Sequence, residues 1–470
     1  MSKLVSSLVW LRRDLRLQDN LSLSLSMQHS GKVQPIFIFD EHILSRFSNP
    51  RDRRLSFIKN SLKAIDKELK KHNSELLVFY GKPELLVPRI AKILDIESVY
   101  AGEDYEPYGI KRDKLIAKEL SLKLNNDHLL IAPNRVCKDD KSPYKVFTPY
   151  FKKWLSKIEQ LDYVEYKIYD NSRYAETSKV KEVLAQNNLY PLNLNDEIPG
   201  YFQQELNDWS LDDLPAKFKQ FVDYRLSSYG NNRNNLADNG TSCFSPYIRF
   251  GNISIRQCYR AAIDGENSFE WLTELAWRDF YAMILYYFPE TIDMEMQVQY
   301  RGIQWSSNQE LLAKFTSGQT GYPIIDAAIN QLLKTGWMHN RARMIVASFM
   351  TKNLWLNWRL GEEFFAQHLL DYELSSNVGG WQWSASVGTD AQPYFRMFNP
   401  YLQSKKFDPN GNYIRKYLPE LRLLTNNEIH KPKPLFSGKY CIPIVDYEIS
   451  RKKAINYFND YLKGKNYDSR

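Results

Sequence analysis

The chain has 470 residues, with 63 Lys+Arg against 55 Asp+Glu and a formal charge of +8, a length that implies two or three domains rather than one core. Hydrophobic residues at 43% and charged residues at 25% exclude a disordered, fibrous or membrane-embedded chain. The basic excess favours an anionic partner, and the aromatic content of 14% is concentrated, with eight of the 11 Trp lying between Trp271 and Trp383.

The opening MSKLVSSLVWLRRDLR contains no apolar stretch of signal-peptide length, and no later run approaches the ~20 apolar residues of a membrane span. A cytoplasmic location is therefore expected. From there strands are predicted at Leu4–Leu11, Val33–Phe39, Glu75–Tyr80, Ser98–Ala101 and His128–Ala132, each rich in Val, Ile, Leu, Phe or Tyr. Between the last four, apolar residues at three- and four-residue spacing predict helices at Arg53–Lys71, Glu84–Leu94 and Lys111–Leu124. Strand alternating with helix over 1–131 predicts an α/β domain with a doubly wound parallel sheet. It holds neither GxGxxG nor GxxxxGK[ST], so it is not an ordinary NAD or P-loop module, although its strand ends can carry a ligand at a topological switch point.

Residues 132–200 read as a long connection, with prolines at 133, 143, 149, 191 and 199. Over 201–470 helical periodicity takes over. Helices are predicted at Ser268–Tyr287, Asn308–Phe315, Tyr322–Thr335, Asn340–Leu354 and Glu362–Leu370, punctuated by Gly318, Gly321, Gly336 and Gly361. This is an all-α C-terminal domain.

Several segments can carry chemistry. In WLTELAWRDFYAMILYY, Trp271, Glu274, Trp277, Arg278 and Tyr281 share one helix face. That face suits a planar ligand, and equally a buried helix with an i,i+4 Glu274–Arg278 pair. GWMHNRARMIVASF places Asn340, Arg341, Arg343 and Met344 at a helix start, where anionic or amide-bearing ligands bind well. No metal is expected, since His339 has no HxxxH partner and Cys137, Cys243, Cys258 and Cys441 form no CxxC pair. Thr241, Ser242, Cys243, Phe244 and Ser245 form a hydroxyl-rich loop before Pro246 whose O–H and N–H groups can cradle a phosphate. The tract from Asp371 to Pro400 reads as a polar, glycine-rich loop. Gly379 and Gly380 let backbone lie against a flat ring, and Trp381 and Trp383 can stack on bases.

At these residues the sequence resembles the DNA photolyase and cryptochrome family, specifically the microbial class I cyclobutane pyrimidine dimer photolyases. The resemblance runs nearly end to end, through LVWLRRDLRLQDN, YKVFTPYFKKW, WLTELAWRDFY, TGYPIIDAAINQL, TGWMHNRARM, NVGGWQWSASVGTDAQPYFR and FNPYLQSKKFD. It implies a carbon–carbon lyase that repairs UV-damaged DNA under light, with FAD in the helical domain and an antenna pigment in the sheet domain. For the flavin it points to Tyr229, the loop 241–245, Trp271, Arg278, Asn340, Arg343, Asp371, Tyr372, Glu373 and Asn377, with Asn377 facing flavin N5 and Asp371 paired with Arg343. Glu373 stands where the family usually has Asp, and Val378 where it usually has Asn.

For the flipped dimer the resemblance points to Glu274, Trp277, Asn340, Met344 and Trp383, groups that suit two bases taken out of the stack. Arg233, Arg341, Arg396 and Lys406 match positions near the phosphates. Trp381, Trp358 and Trp305 match a three-tryptophan chain that conducts electrons to an oxidised flavin. The antenna pigment is methenyltetrahydrofolate or of the deazaflavin or flavin type; Tyr108 and Gly109 stand where folate-binding members often carry Asn-Glu. A monomer with no membrane partner is expected. Two alternatives remain, a cryptochrome-type photoreceptor and a non-catalytic aromatic-rich nucleic-acid binding module, which would be colourless.

Overall fold

In the computed structural model, residues 4–161, 164–167, 170–206, 208–238, 240–433 and 440–468 are described, the side chains of 465–468 excepted. The chain divides into two compact units. One comprises Met1–Asp140, Phe151–Ser227 and Cys243–Tyr286, the other Lys141–Tyr150, Ser228–Ser242 and Tyr287–Arg470.

The first unit is built on a five-stranded parallel sheet in the order β3-β2-β1-β4-β5. The strands are β1 (Ser7–Leu11), β2 (Val33–Asp40), β3 (Leu77–Gly81), β4 (Ser98–Gly102) and β5 (Leu122–Asn125). Every residue of β1 and β2 is buried, which is why these strands read as apolar runs rather than as alternating ones. The helix Arg53–Lys70 crosses from β2 to β3 and buries Leu55, Leu62, Ile65 and Leu69, its N-terminus capped by Asp52. The predicted α/β sheet is present.

Two local expectations are corrected. His128–Ala132 forms no strand. Its backbone N–H groups at Leu130 and Ile131 are accepted by the Asp279 carboxylate at 3.3 and 2.9 Å, so no ladder is needed to satisfy them. The fifth strand is instead Leu122–Asn125, a half-exposed edge, and the helix before it stops at Ile116. One helix is illegible in the apolar spacing. Leu21–His29, LSLSLSMQH, alternates with the period of a strand, yet it is a helix N-capped by Asn20 with Ser22, Ser24 and Ser26 buried.

Residues 243–286 lie on the helical side of the boundary read from sequence but group with the sheet. Ion pairs account for this. Arg256 bonds Asp19 at 3.0 Å and Asp127 at 2.8 Å, and Arg260 bonds Asp19 at 2.9 Å. All three of Asp19, Asp127 and Arg256 are buried, where such charges persist only when paired.

The second unit is helical. Its core gathers Ile325, Ile329 and Leu332 of the helix Pro323–Thr335 with Ile345, Phe349, Trp358, Phe365 and Trp381. The predicted helix 340–354 is present as an α-helix over Asn340–Ser348 that widens into a π-helical turn at Phe349–Asn353. The tract after Asp371 is not a loop at its start, because Leu374–Ser384 is a helix with Gly379 and Gly380 inside it. Its partner is the helix Trp358–His368. A Cβ on Gly361 would lie 2.1 Å from Trp381 Cη2, so a glycine there lets the indole seat against the helix and compensates for two glycines of poor helix propensity. No helix among the described residues is long and apolar enough to cross a membrane.

Candidate functional site

The switch point of the sheet lies where β1 and β4 run side by side. There Arg12 bonds Asp113 at 2.7 Å and Arg13 bonds Glu106 at 2.5 Å. Burial pushes the Asp104 carboxyl up, but the guanidinium groups of Arg13 and Arg112 outweigh it and hold it well below the usual carboxylate range. Beside this network Tyr108 donates its hydroxyl to Asp40 at 2.9 Å and stacks on His42 at 4.4 Å. A Cβ on Gly109 would fall 2.4 Å from the Asp104 carboxyl carbon. Tyr108 is thus held by Asp40 and His42, and any side chain at 109 would have to displace the Asp104 carboxylate.

The first unit also carries the helix Phe269–Tyr287. Trp271 is buried, its indole N–H donating to the Cys258 carbonyl at 3.3 Å with Phe221 at 5.1 Å from the ring. Glu274, Trp277, Arg278 and Tyr281 are half-buried. Trp277 rests on Phe280 and Tyr281 at 5.6 and 5.5 Å, and Arg278 donates to the carbonyl of His128. Asp279 anchors the helix by accepting also from Trp154 Nε1 at 3.0 Å. Burial raises its carboxyl to about 6 against the opposing effect of these donors. Cys243 takes a left-handed backbone, φ 56°. Phe244 next to it is buried against Phe218 and Phe221, and Ser245 is exposed.

In the second unit, Tyr229 is buried under the Arg233 guanidinium, 6.0 Å from its ring, and Thr241 and Ser242 are half-buried. His339 caps the helix Asn340–Ser348 by accepting from the Arg341 N–H at 3.1 Å. Burial, reinforced by Arg341 and Arg343, lowers this imidazole to about 4, so it is neutral. Asn340 is exposed at the first helical position, and Met344 is half-buried. Arg341 donates to Asn234 Oδ1 at 2.8 Å and lies 4.7 Å from the Phe407 ring. Arg343 bonds Asp371 at 2.7 Å and the Met338 carbonyl at 2.8 Å.

Further along, Glu373 is buried immediately before the helix Leu374–Ser384. Asn377 is buried, and its amide donates to Glu362 Oε1 at 2.9 Å and to the Glu362 carbonyl at 3.0 Å. Tyr372 donates to the same carboxylate at 3.1 Å. Burial raises the Glu362 carboxyl despite these donors. Trp381 and Trp358 are buried, whereas Trp305 and Trp383 are half-buried. Arg396 and Lys406 are exposed. Two residues escaped sequence reasoning. Glu362 orients Asn377, and Glu295 accepts from Trp305 and Trp358; neither has a periodic or motif signal, because their partners are set by tertiary packing.

A flavin's polar ring edge carries both N–H donors and acceptor atoms, so a matching site must offer buried groups of both kinds. Among the described residues, Asp371 Oδ1 and Trp381 Nε1 are buried polar atoms without a hydrogen-bond partner, and such atoms are costly unless a ligand completes them. A Cβ on Gly380 would meet no atom within 4 Å. A carboxylate, amides and a guanidinium on packed helices fit this cofactor. Among the described residues no group of His, Cys, Asp or Glu could hold a metal ion.

A parallel α/β unit and a helical unit with this donor set define a flavoprotein of two parts. Comparison with known proteins agrees. The family described as DNA photolyase matches residues 7–166, and the FAD binding domain of DNA photolyase matches residues 271–460. A deoxyribodipyrimidine photo-lyase of Alkalihalophilus pseudofirmus is 38% identical over 96% of this chain and 97% of its own. Among solved structures, a bacterial class III photolyase from Agrobacterium tumefaciens superposes with a TM-score of 0.84 at 30% identity, covering 98% of each chain. An archaeal photolyase from Sulfolobus tokodaii with two FAD molecules gives 0.83 at 29% identity, over 97% of this chain and 100% of the other. The chain belongs to the DNA photolyase family.

Proposed function

We propose that this protein is a deoxyribodipyrimidine photo-lyase, which splits cyclobutane pyrimidine dimers in UV-damaged DNA under light. The observation that carries the proposal is likeness over nearly the whole chain to proteins of that description. Bound and reduced, FAD supplies the light-driven electron that opens the cyclobutane ring; the chain supplies binding, orientation and exclusion of water.

Asn377, held by Glu362, presents its amide oxygen toward the flavin ring, and Asp371 is held in place by its pair with Arg343. Glu373, Tyr229, Trp271, Arg278 and the loop 241–245 complete the cofactor contacts. Glu274 and Asn340 hydrogen-bond the flipped pyrimidines, while Trp277, Trp383 and Met344 pack on their rings. Arg233, Arg341, Arg396 and Lys406 contact phosphates, which sets register without reading sequence. Trp381, Trp358 and Trp305 carry electrons to an oxidised flavin. The second pigment is methenyltetrahydrofolate or of the deazaflavin or flavin type, and Tyr108 and Gly109, where folate-binding members often carry Asn-Glu, weigh against the folate.

The test is an oligonucleotide with one thymine dimer, incubated with the reduced protein in the dark and in blue light. Loss of the dimer only in light supports the proposal. Loss in both conditions or in neither refutes it, and a yellow protein without repair would point to a photoreceptor. Glu274→Ala is expected to weaken dimer binding and repair while flavin stays bound.

A further inference from the structure

One buried carboxylate named above, Glu295, touches neither the flavin contacts nor the dimer contacts. Glu295 is 5% exposed, and its Oε1 accepts two indole N–H groups, from Trp305 at 3.2 Å and from Trp358 at 3.1 Å. A neutral acceptor such as a carbonyl or an amide would satisfy two indoles equally well. A carboxylate costs far more to bury, so a purely structural role does not account for the charge. Two cations also stand close. The Arg359 guanidinium lies 5.3 Å from the Trp358 ring, and Arg301 donates to the Glu295 carbonyl at 2.9 Å. Both would oppose a positive charge on these indoles. Trp381, by contrast, has a buried indole N–H with no hydrogen-bond partner among the described residues.

We propose that Glu295 is the counter-charge of the tryptophan route, stabilising an electron vacancy on Trp358 and Trp305 relative to Trp381 and so drawing it outward. The proposal rests on the reading of these three indoles as an electron route. The oxidant is the photoexcited oxidised flavin, which takes one electron from Trp381. Trp358 then refills Trp381, and Trp305 refills Trp358. No covalent bond forms or breaks in these steps, and the positive charge ends beside a carboxylate in a low-dielectric interior, where the attraction is strong. Without that charge the vacancy favours return to Trp381 and recombination.

The experiment compares Glu295→Gln, which keeps an acceptor but removes the charge, with Trp358→Phe, in the full chain loaded with oxidised flavin. Flavin photoreduction by dithiothreitol, the lifetime of the oxidised tryptophan by transient absorption, and the indole N–H resonances of the 15N-labelled protein in the dark are measured. Glu295→Gln should retain flavin and hydrogen-bonded indole resonances for Trp305 and Trp358, while photoreduction yield and vacancy lifetime fall about tenfold, the factor equivalent to about 1.4 kcal/mol of lost stabilisation. Normal photoreduction in Glu295→Gln with loss in Trp358→Phe would overturn the role of Glu295 alone. Normal photoreduction in Trp358→Phe would overturn the route, and this role with it. Should Glu295→Gln lose flavin, Glu295→Asp decides: recovery of photoreduction supports the counter-charge, and a yield as low as that of Trp358→Phe refutes it.

Discussion

Replacing Gly361 by Ala adds one methyl group where two helices meet. The new Cβ would lie 2.1 Å from Trp381 Cη2, 2.3 Å from Cζ3 and 2.7 Å from Met350 Sδ, whereas carbon atoms pack comfortably at about 3.5–4.0 Å. The overlap with the ring is therefore about 1.4 Å or more. Trp381 is 2% exposed and bounded on another side by Phe365 at 4.9 Å, so the ring cannot swing away freely. Overpacking of a dense core costs about 1–3 kcal/mol, and clash with a ring rather than a flexible chain end places this case at about 3 kcal/mol. Alanine returns about 1 kcal/mol through helix propensity. The net expectation is a loss of about 2 kcal/mol, read in urea as a midpoint lower by about 1 M for a slope near 2 kcal/mol/M. A midpoint equal to or above that of the unsubstituted protein would refute the close contact and the reason given for glycine at this position.

Asp371→Asn should lower stability by about 2–4 kcal/mol, because it leaves the half-buried Arg343 uncompensated; urea unfolding measures this, and the flavin content of the purified protein should fall with it. His339 binds its proton less readily when folded, at about 4 against an ordinary 6.5. The unfolded chain thus holds more protons between these values, and stability is full above pH 6.5 and is lost as pH falls through 4, by about 3 kcal/mol in all. His339→Gln should flatten that dependence relative to the unsubstituted protein in denaturant titrations at several pH values. Lys352 is buried and lowered to about 7 from 10.5 by loss of solvation, so stability should rise between pH 7 and pH 10; in Lys352→Met that rise should be absent. Gly109→Glu should clash with Asp104 and lower the melting temperature without enabling folate binding, measured by pigment reconstitution and absorbance.

The sheet was legible where strands are buried on both faces, as in β1 and β2, because burial on each side favours the apolar runs Leu8–Leu11 and Ile36–Phe39. It was illegible at β5, where Leu-Lys-Leu-Asn lies at a half-exposed edge and continues the apolar spacing of the helix before it. Ser22, Ser24 and Ser26 hid a helix, since small hydroxyl residues can be buried within one without leaving an apolar stripe. The helix Leu374–Ser384 was missed because two adjacent glycines argue against a helix, and only the seat of Trp381 on Gly361 outweighs them. For the candidate site, residue types in recognisable strings were readable. The carboxylates behind them were not: Glu362 acts on Asn377 across 15 positions and Glu295 on Trp358 across 63, separations that leave no local pattern.

Asp279 has a consequence for how the chain is made. Its carboxylate serves the N–H groups of Leu130 and Ile131, 149 and 148 positions earlier, and the indole of Trp154, 125 positions earlier. Synthesis from the N-terminus therefore completes all five strands long before their adjoining segment has an acceptor for its donors. The sheet unit must wait for residue 279 to emerge before its last buried donors close, which makes its folding late and dependent on long-range contacts. A ribosome paused, or a chain truncated, before that residue should leave an intermediate in which 128–132 remains open to proteases.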